Sequence, residues 1–497
     1  MKQTDAAYVA AIDLGSSCLR GCIGYKTGDV LHVVATASRP VGEEIRRGMV
    51  CNVRNLSVLL TDLIRELEEN PVCPCRVSEV TVSVNAGSMR TVAVSATDAL
   101  QGTEEVTENT LEDLEATCES KTPESKALFF SYLQEYLVNG YSSRSPIGEK
   151  PRQLEARYKL VVGREEILNN LKELFEGSKT DFRMCPGALA CAQGFIPAEQ
   201  RNRGTVVVDF GAETTTVCVI KNDIVRHLTV LPVGGQSITT DLMPIFQLFQ
   251  EAENEKTARG SALHFTAWKN GLGPAWYEEG QELDARDKDV NETIVARIEE
   301  IVENVDHQIK ASNISYPGMT LWLFGGASRL SGLEELLSKR TELKVIRPSL
   351  TSGNVMTDGQ LVLDDAFLQC VGLLSVGVPG GCEALDAEEE PVAAAEAEPT
   401  PVEEAPTERE DDEDDPSPKG FLHFLGFGRK SHHEHTETSE PAPESEAAPE
   451  PEPVQPRPAE PAASQPTRPA PKKKQKKEGE NWAASLFDSL EEKYKDA

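Results

Sequence analysis

The sequence is short of positive charge. Against 82 Asp and Glu stand 50 Lys and Arg, a formal net charge of −32, and no Lys/Arg stripe runs through the body of the chain. Phosphate neutralisation dominates nucleic-acid affinity, so no nucleic-acid partner is expected. Long apolar runs are missing too: no stretch approaches the roughly 18 residues of a membrane span. The opening MKQTDAAYVAAIDLG shows no charged leader, apolar core and cleavage site, so no secretory signal is expected. The 11 cysteines are odd in number and lack the paired spacing of zinc ligands. The closest two, Cys73 and Cys75, read as free thiols in a loop. A reduced, cytoplasmic protein is the expectation.

Apolar residues are scarce as well, at 39% of the chain, and the deficit is local. Residues 383–497 hold 17 of the 31 prolines, with 13 basic and 30 acidic side chains. Such a segment cannot bury enough apolar surface to offset chain entropy, so a disordered acidic linker is expected. The 382 residues before it are enough for two or more domains.

What is present is a recurring turn. YVAAIDL at 8–14 reads as a buried strand ending in Gly15, Ser16 and Ser17, followed by strands at 18–25 and 30–37 about a turn at 27–29. GTVVVDFGAETTTVCVI at 204–220 repeats the design: an apolar strand, an acid at its end, a glycine, then hydroxyl residues. LWLFGGASRLSGL at 321–333 is a third instance, with Gly325 and Gly326 before a helix. Glycine lets backbone approach phosphate oxygens, and successive amides and hydroxyls donate to them. An Asp at the strand end suits Mg²⁺, held through its waters. Three such turns in this order fit two facing halves that clamp a nucleotide.

The order and spacing resemble the superfamily of actin, hexokinase and heat-shock-chaperone ATPases, and within it the FtsA family of bacterial cell-division proteins. YLQEYLVNGYSSRSPIGEK at 132–150 and the strand at 154–163 are similar to that family's segment around its nPiG turn. LPVGGQSITTD at 231–241 and EAENEKTARG at 251–260 resemble two more of its motifs. The resemblance covers roughly residues 8–378. It implies an α/β, actin-like (ribonuclease H-like) two-domain fold with an inserted 1C-type subdomain. Residues 1–85 and 164–205 would form the first domain and 86–163 the insertion. Residues 206–233 and 319–378 would form the second core and 234–318 a 2B-type subdomain.

By the same resemblance the cofactors are ATP and Mg²⁺. Asp13 and Asp209 would face each other around the metal, through water. Gly15, Ser16, Ser17, Gly211, Thr214, Thr215, Gly234 and Gly235 would surround the phosphates. Glu253 and Lys256 would touch ribose or adenine, and Gly325, Gly326 and Ala327 would wall the base. The chain departs from the family at Ala212 and Glu213, where a glycine run is usual. The general-base candidates are Glu213 and Gln193, and slow or absent hydrolysis is expected. The implied partners are further copies in a filament, later divisome proteins and the C-terminal peptide of the tubulin-like FtsZ. That peptide would bind near the amphipathic stretch 290–310, with Arg297 as a contact. A PilM-like pilus adaptor or a sugar kinase or chaperone ATPase is the alternative within the superfamily.

The tail carries a pattern of its own. Trp482, Leu486, Leu490 and Tyr494 recur every four residues, with Phe487 beside them and a basic run at 472–477. This is the stripe of an amphipathic helix over 481–497, suited to an anionic membrane surface. FtsA proteins are tethered by such a helix, so the expected location is the cytoplasmic face of the cell membrane at the division septum. The linker before it spans 383–480.

Overall fold

Strand β1, Val9–Leu14, is buried at five of its six residues, as an apolar run must be when both faces of its sheet are covered. The computed structural model that shows this describes residues 7–384 except 71–74, 101, 179, 280, 315–316, 351–353 and 358–360. The linker beyond 384 and the expected tail helix lie outside the described residues. From β1 the chain hairpins into β2 (Cys18–Thr27) and, about Gly28 at φ +60°, into β3 (Val30–Pro40). A short hairpin of β4 (Ile45–Arg46) and β5 (Met49–Val50) precedes α1 (Val53–Glu68). The side chain of Asn52 caps α1, and Leu56, Leu60, Leu63 and Leu67 are buried along one stripe. β6 (Cys75–Val77) leads to β7 (Glu79–Ser83), which lies parallel to β1.

Residues 90–164 then build an antiparallel arm that extends the second half's sheet. Its elements are β8 (Arg90–Asp98), α2 (Glu108–Glu119), β9 (Lys126–Val138), β10 (Tyr141–Ser143) and β11 (Leu154–Arg164), in the strand order β10-β9-β11-β8. They close a second apolar cluster that includes Leu114, Leu154, Tyr158 and Leu160. After α3 (Glu165–Glu176) the chain rejoins the first sheet with β12 (Asp181–Cys185), parallel to β7. α4 (Gly187–Phe195) and α5 (Ala198–Arg203) follow.

The second half repeats the first. β13 (Thr205–Phe210), β14 (Thr215–Lys221) and β15 (Ile224–Leu231) form antiparallel hairpins. α6 (Gly235–Phe246), α7 (Phe249–Arg259), the single turn α8 (Phe265–Ala267) and α9 (Ala285–Ala311) come next. β16 (Thr320–Phe324) returns parallel to β13, and after α10 (Leu333–Thr341) β17 (Lys344–Ile346) lies parallel to β16. The stretch 290–310 falls inside α9, with Ile294, Ile298, Ile301, Val302 and Val305 buried. The orders β12-β7-β1-β2-β3 and β17-β16-β13-β14-β15 are the same path traced twice.

Two placements differ from the sequence expectation. The inserted sheet joins the edge of the second half through the single paired position Arg90–Thr229 between β8 and β15. Residues 355–378, expected in the second core, return to the first half. β18 (Val355–Thr357) pairs with β3, and α11 (Leu368–Val376) packs on β1, β2 and α4. α11 is apolar nearly all round and needs cover on more than one side, which the first sheet and α4 supply together. β19 (Cys382–Ala384) then pairs with β6.

Candidate functional site: two strand-end aspartates and three loops

The duplicated path puts Asp13 and Asp209 in the same place. Each is the fifth residue of a six-residue central strand, where its backbone turns into a hairpin. Both are buried, 8% and 7% exposed. One oxygen of Asp13 accepts from the Ser83 hydroxyl and the Gln369 amide, both at 2.7 Å. Burial raises the Asp13 carboxyl above its usual range, opposed by the Ser83 bond. Burial, and then the negative charge of Asp13, push Asp209 up to about 7. No cation is among the groups that shift Asp209. Arg20 eases the charge on Asp13 but is not among the groups that shift Asp209, and two buried acids that repel each other in this way suit a hydrated divalent cation, which prefers oxygen ligands and keeps most of its water. Mg²⁺ fits this pair.

The first loop is tight because Gly15 has no Cβ, which would lie 2.7 Å from the Cys18 carbonyl oxygen. The Ser16 hydroxyl oxygen accepts from the Gly48 amide at 3.1 Å, and Ser17 is exposed. In the second loop the Gly211 amide donates to the Thr214 carbonyl at 2.9 Å. Glu213 does not point at the loop centre. It accepts from Arg46 Nη1 at 3.1 Å and from the Arg47 amide at 2.5 Å. The β4–β5 hairpin thus holds the first loop through Gly48 and the second through Arg46 and Arg47. Its turn carries Arg47 at φ +49° and Gly48 at φ +74°.

The Gly234–Gly235 segment closes the site from the α6 side. The Gly235 and Gln236 amides donate to the Gly211 and Ala212 carbonyls at 2.9 and 2.7 Å. A Cβ on Gly234 would sit 2.6 Å from both of those carbonyl oxygens, and one on Gly235 would sit 2.6 Å from the Ala327 Cβ. The second and third loops therefore meet at the start of α6. Glu253 and Lys256 arrive there from α7. Lys256 Nζ donates to the Gly235 carbonyl at 3.0 Å, to the Thr239 hydroxyl at 2.8 Å and to Glu253 at 2.6 Å. Thr239 also donates to Glu253. Burial lowers the Lys256 amine below its usual value, and the Glu253 bond opposes this. The pair is built into the loop's support and is not a solvated helix-surface pair. Gly325, at φ +89°, packs under the Asp209 carboxylate, while Gly326 faces open space.

Several sequence expectations are redirected. Thr215 is 1% exposed and donates to the Val233 carbonyl at 2.8 Å, so its hydroxyl serves the loop's own fold. Gln193 donates to Asp223 at 3.2 Å, at the far end of the β14–β15 hairpin. Two thiols feel the acids: burial and the nearby carboxylates hold Cys18 and Cys191 above their usual value. Arg297 is paired bidentately with Asp241, at 2.5 and 3.1 Å, and with Glu300 at 2.6 Å. It bolts α9 to α6. Sequence patterns did not single out Ser83, Gln369 or the Arg46–Gly48 turn. The Arg-Arg-Gly run at 46–48 is the one local signal that could have marked a positive-φ turn there.

Residues 206–358 match the family model described as Cell division protein FtsA. The chain is 25% identical over 360 residues to the Cell division protein FtsA of Porphyromonas gingivalis, covering 70% of this chain and 74% of that one. It is 24% identical over 349 residues to that of Neisseria meningitidis serogroup B, covering 68% and 83%. With that of Escherichia coli K12 the identity is 22% over 410 residues, covering 76% and 92%. Among solved structures, the PilM-PilN type IV pilus biogenesis complex aligns with a TM-score of 0.52 at 16% identity. That match covers 74% of this chain and 97% of the other and speaks to the fold alone. The fold is α/β and actin-like, and the chain resembles the FtsA family of cell-division proteins, whose model residues 206–358 match.

Proposed function

We propose that this cell-division protein binds Mg-ATP between its two halves and uses the nucleotide as a conformational ligand. One observation carries the reading. The same strand path, run twice, ends in two buried acids whose like charges repel each other, with three glycine loops gathered beside them. Asp13 and Asp209 would hold the hydrated metal. Gly15, Ser16, Ser17, Gly211 and Thr214 would meet phosphates, with Gly234, Gly235 and Lys256 bracing the second loop. Gly326 would offer an open floor to the base.

The wider role follows the family. Residues 90–164 would act as the inserted subdomain and make filament contacts, and 234–318 would receive the FtsZ C-terminal peptide beside α9. The helix at 481–497 would tether the filament to the membrane at the septum, where later divisome proteins assemble. The experiment that tests the nucleotide reading is thermal unfolding of the full chain. A ligand that binds only the folded state stabilises it by mass action, so millimolar Mg-ATP should raise the melting temperature. Asp13→Ala and Asp209→Ala should each remove most of that rise. An unchanged curve for the parent chain would sink the proposal.

A further inference from the structure

A cavity of about 410 Å³ lies away from the aspartates, where β8, β9 and β11 of the inserted sheet meet β15 and the residues after α9. That size is in the range of small-ligand sites. Among the described residues its wall carries three cations, Arg157, Lys159 and Arg226, and no carboxylate. Arg157 is already neutralised by Glu135 at 3.0 Å and Glu155 at 2.8 Å. The other two are not. Arg226 spends its donors on neutral groups, the Lys221 carbonyl at 3.2 Å and the Gln134 side-chain oxygen at 3.0 Å. Lys159 is half-buried, and the one charged group that shifts it is Arg226, which repels it. Glu135 acts on Arg226 from outside the cavity. Two partly desolvated cations facing one space, with no anion of their own in it, are an unfavourable arrangement that a bound anion relieves. Ser95, Ser312, Ala93 and Ile314 also line it.

The position gives the site a consequence. Lys159 lies on β11 and Arg226 on β15, where the inserted sheet meets the second half through one ladder position, the Val230 amide donating to the Met89 carbonyl at 2.9 Å, the Leu228 amide donating to Thr91 Oγ1 at 3.2 Å and Gln134 Nε2 donating to the Val225 carbonyl at 3.1 Å. We propose that this cavity binds a small polyanion, phosphate- or carboxylate-bearing, whose charge neutralises Lys159 and Arg226 together and fastens the inserted sheet to the second half. The inference does not depend on nucleotide binding in the cleft.

Calorimetric titration and thermal unfolding of the full chain test it, in low salt without Mg²⁺, with pyrophosphate as one probe and citrate as the other. The expected result is saturable binding at one site and a raised melting temperature, the stronger probe telling phosphate from carboxylate. Lys159→Met and Arg226→Met should each weaken binding roughly tenfold or more, whereas Lys288→Met, a charge-matched change on exposed α9 surface, should not. Lys159→Glu should raise the melting temperature without any probe, since it replaces a repulsion by a pair with Arg226, and should abolish the rise that the probe produces. The proposal is overturned if neither probe binds at millimolar concentration, or if Lys159→Met binds as tightly as the parent chain.

Discussion

At the scale of single residues, the informative group is Asp209. With its carboxyl near 7, the folded chain keeps a proton that the unfolded chain, with an ordinary value of about 3.9, has already released. Between those values the native state binds more protons than the unfolded state, so this residue's contribution to stability falls as pH rises and levels off above about 7. Mg²⁺ must displace the same proton, so affinity should move the other way. Mg-ATP binding measured by calorimetry should be about tenfold weaker at pH 6 than at pH 8, following the ionised fraction. Asp209→Asn should flatten the stability slope between pH 4 and 7. A parent chain whose Mg-ATP affinity is the same at pH 6 and pH 8 would contradict the assignment of Asp209 to the metal.

Elements matter through how they hold the loops. The β4–β5 hairpin touches both acid-bearing loops, and α6 and α7 brace the second through Gly235 and Lys256. The third loop is fixed by one backbone angle. At Gly325 a Cβ would face both a positive φ and contacts with the Phe210 carbonyl and, 2.6 Å away, Asp209 Oδ1, whereas at Gly326 it would meet nothing within 4 Å. Gly325→Ala should therefore cost on the order of 1–3 kcal/mol of stability, as other residues forced into rare backbone conformations do. Gly326→Ala should cost little. Denaturant midpoints of the two variants check this, and equal losses would show that the loop is not held as described. In the same way Arg297 serves α9 by closing on Asp241. A partner approaching that surface meets a satisfied ion pair instead of a free guanidinium.

For the whole molecule, the acidic tail sets the expected behaviour at membranes. A helix at 481–497 would lay Trp482, Leu486, Phe487, Leu490 and Tyr494 against lipid, at roughly 1.5–3 kcal/mol per large side chain. Ordering costs of about 1–2 kcal/mol per residue cancel much of this. A single helix is then a weak anchor, and a filament that presents many becomes a strong one. Deleting 481–497 should abolish flotation with anionic liposomes while leaving the Mg-ATP melting shift intact. Equal flotation of the truncated and full chains would move the anchor elsewhere in the tail. Among the described residues no helix is long and apolar enough to cross a membrane.

The sequence by itself determined the local devices: the apolar strands that end in Asp13 and Asp209, the glycines after them, and the helical stripe of α9. These follow from neighbours close along the chain, where periodicity and backbone freedom act directly. It also carried enough family pattern to name the superfamily. Tertiary structure alone decided which side chains those devices meet. Gln369 reaches Asp13 across 356 residues and Arg46 reaches Glu213 across 167, and no local pattern encodes such pairs. The return of α11 to the first half was likewise settled by packing, because an apolar helix goes wherever two faces can cover it. The cavity between β11 and β15 exists only because the inserted strands and the second half, each legible alone, meet edge to edge at β8 and β15.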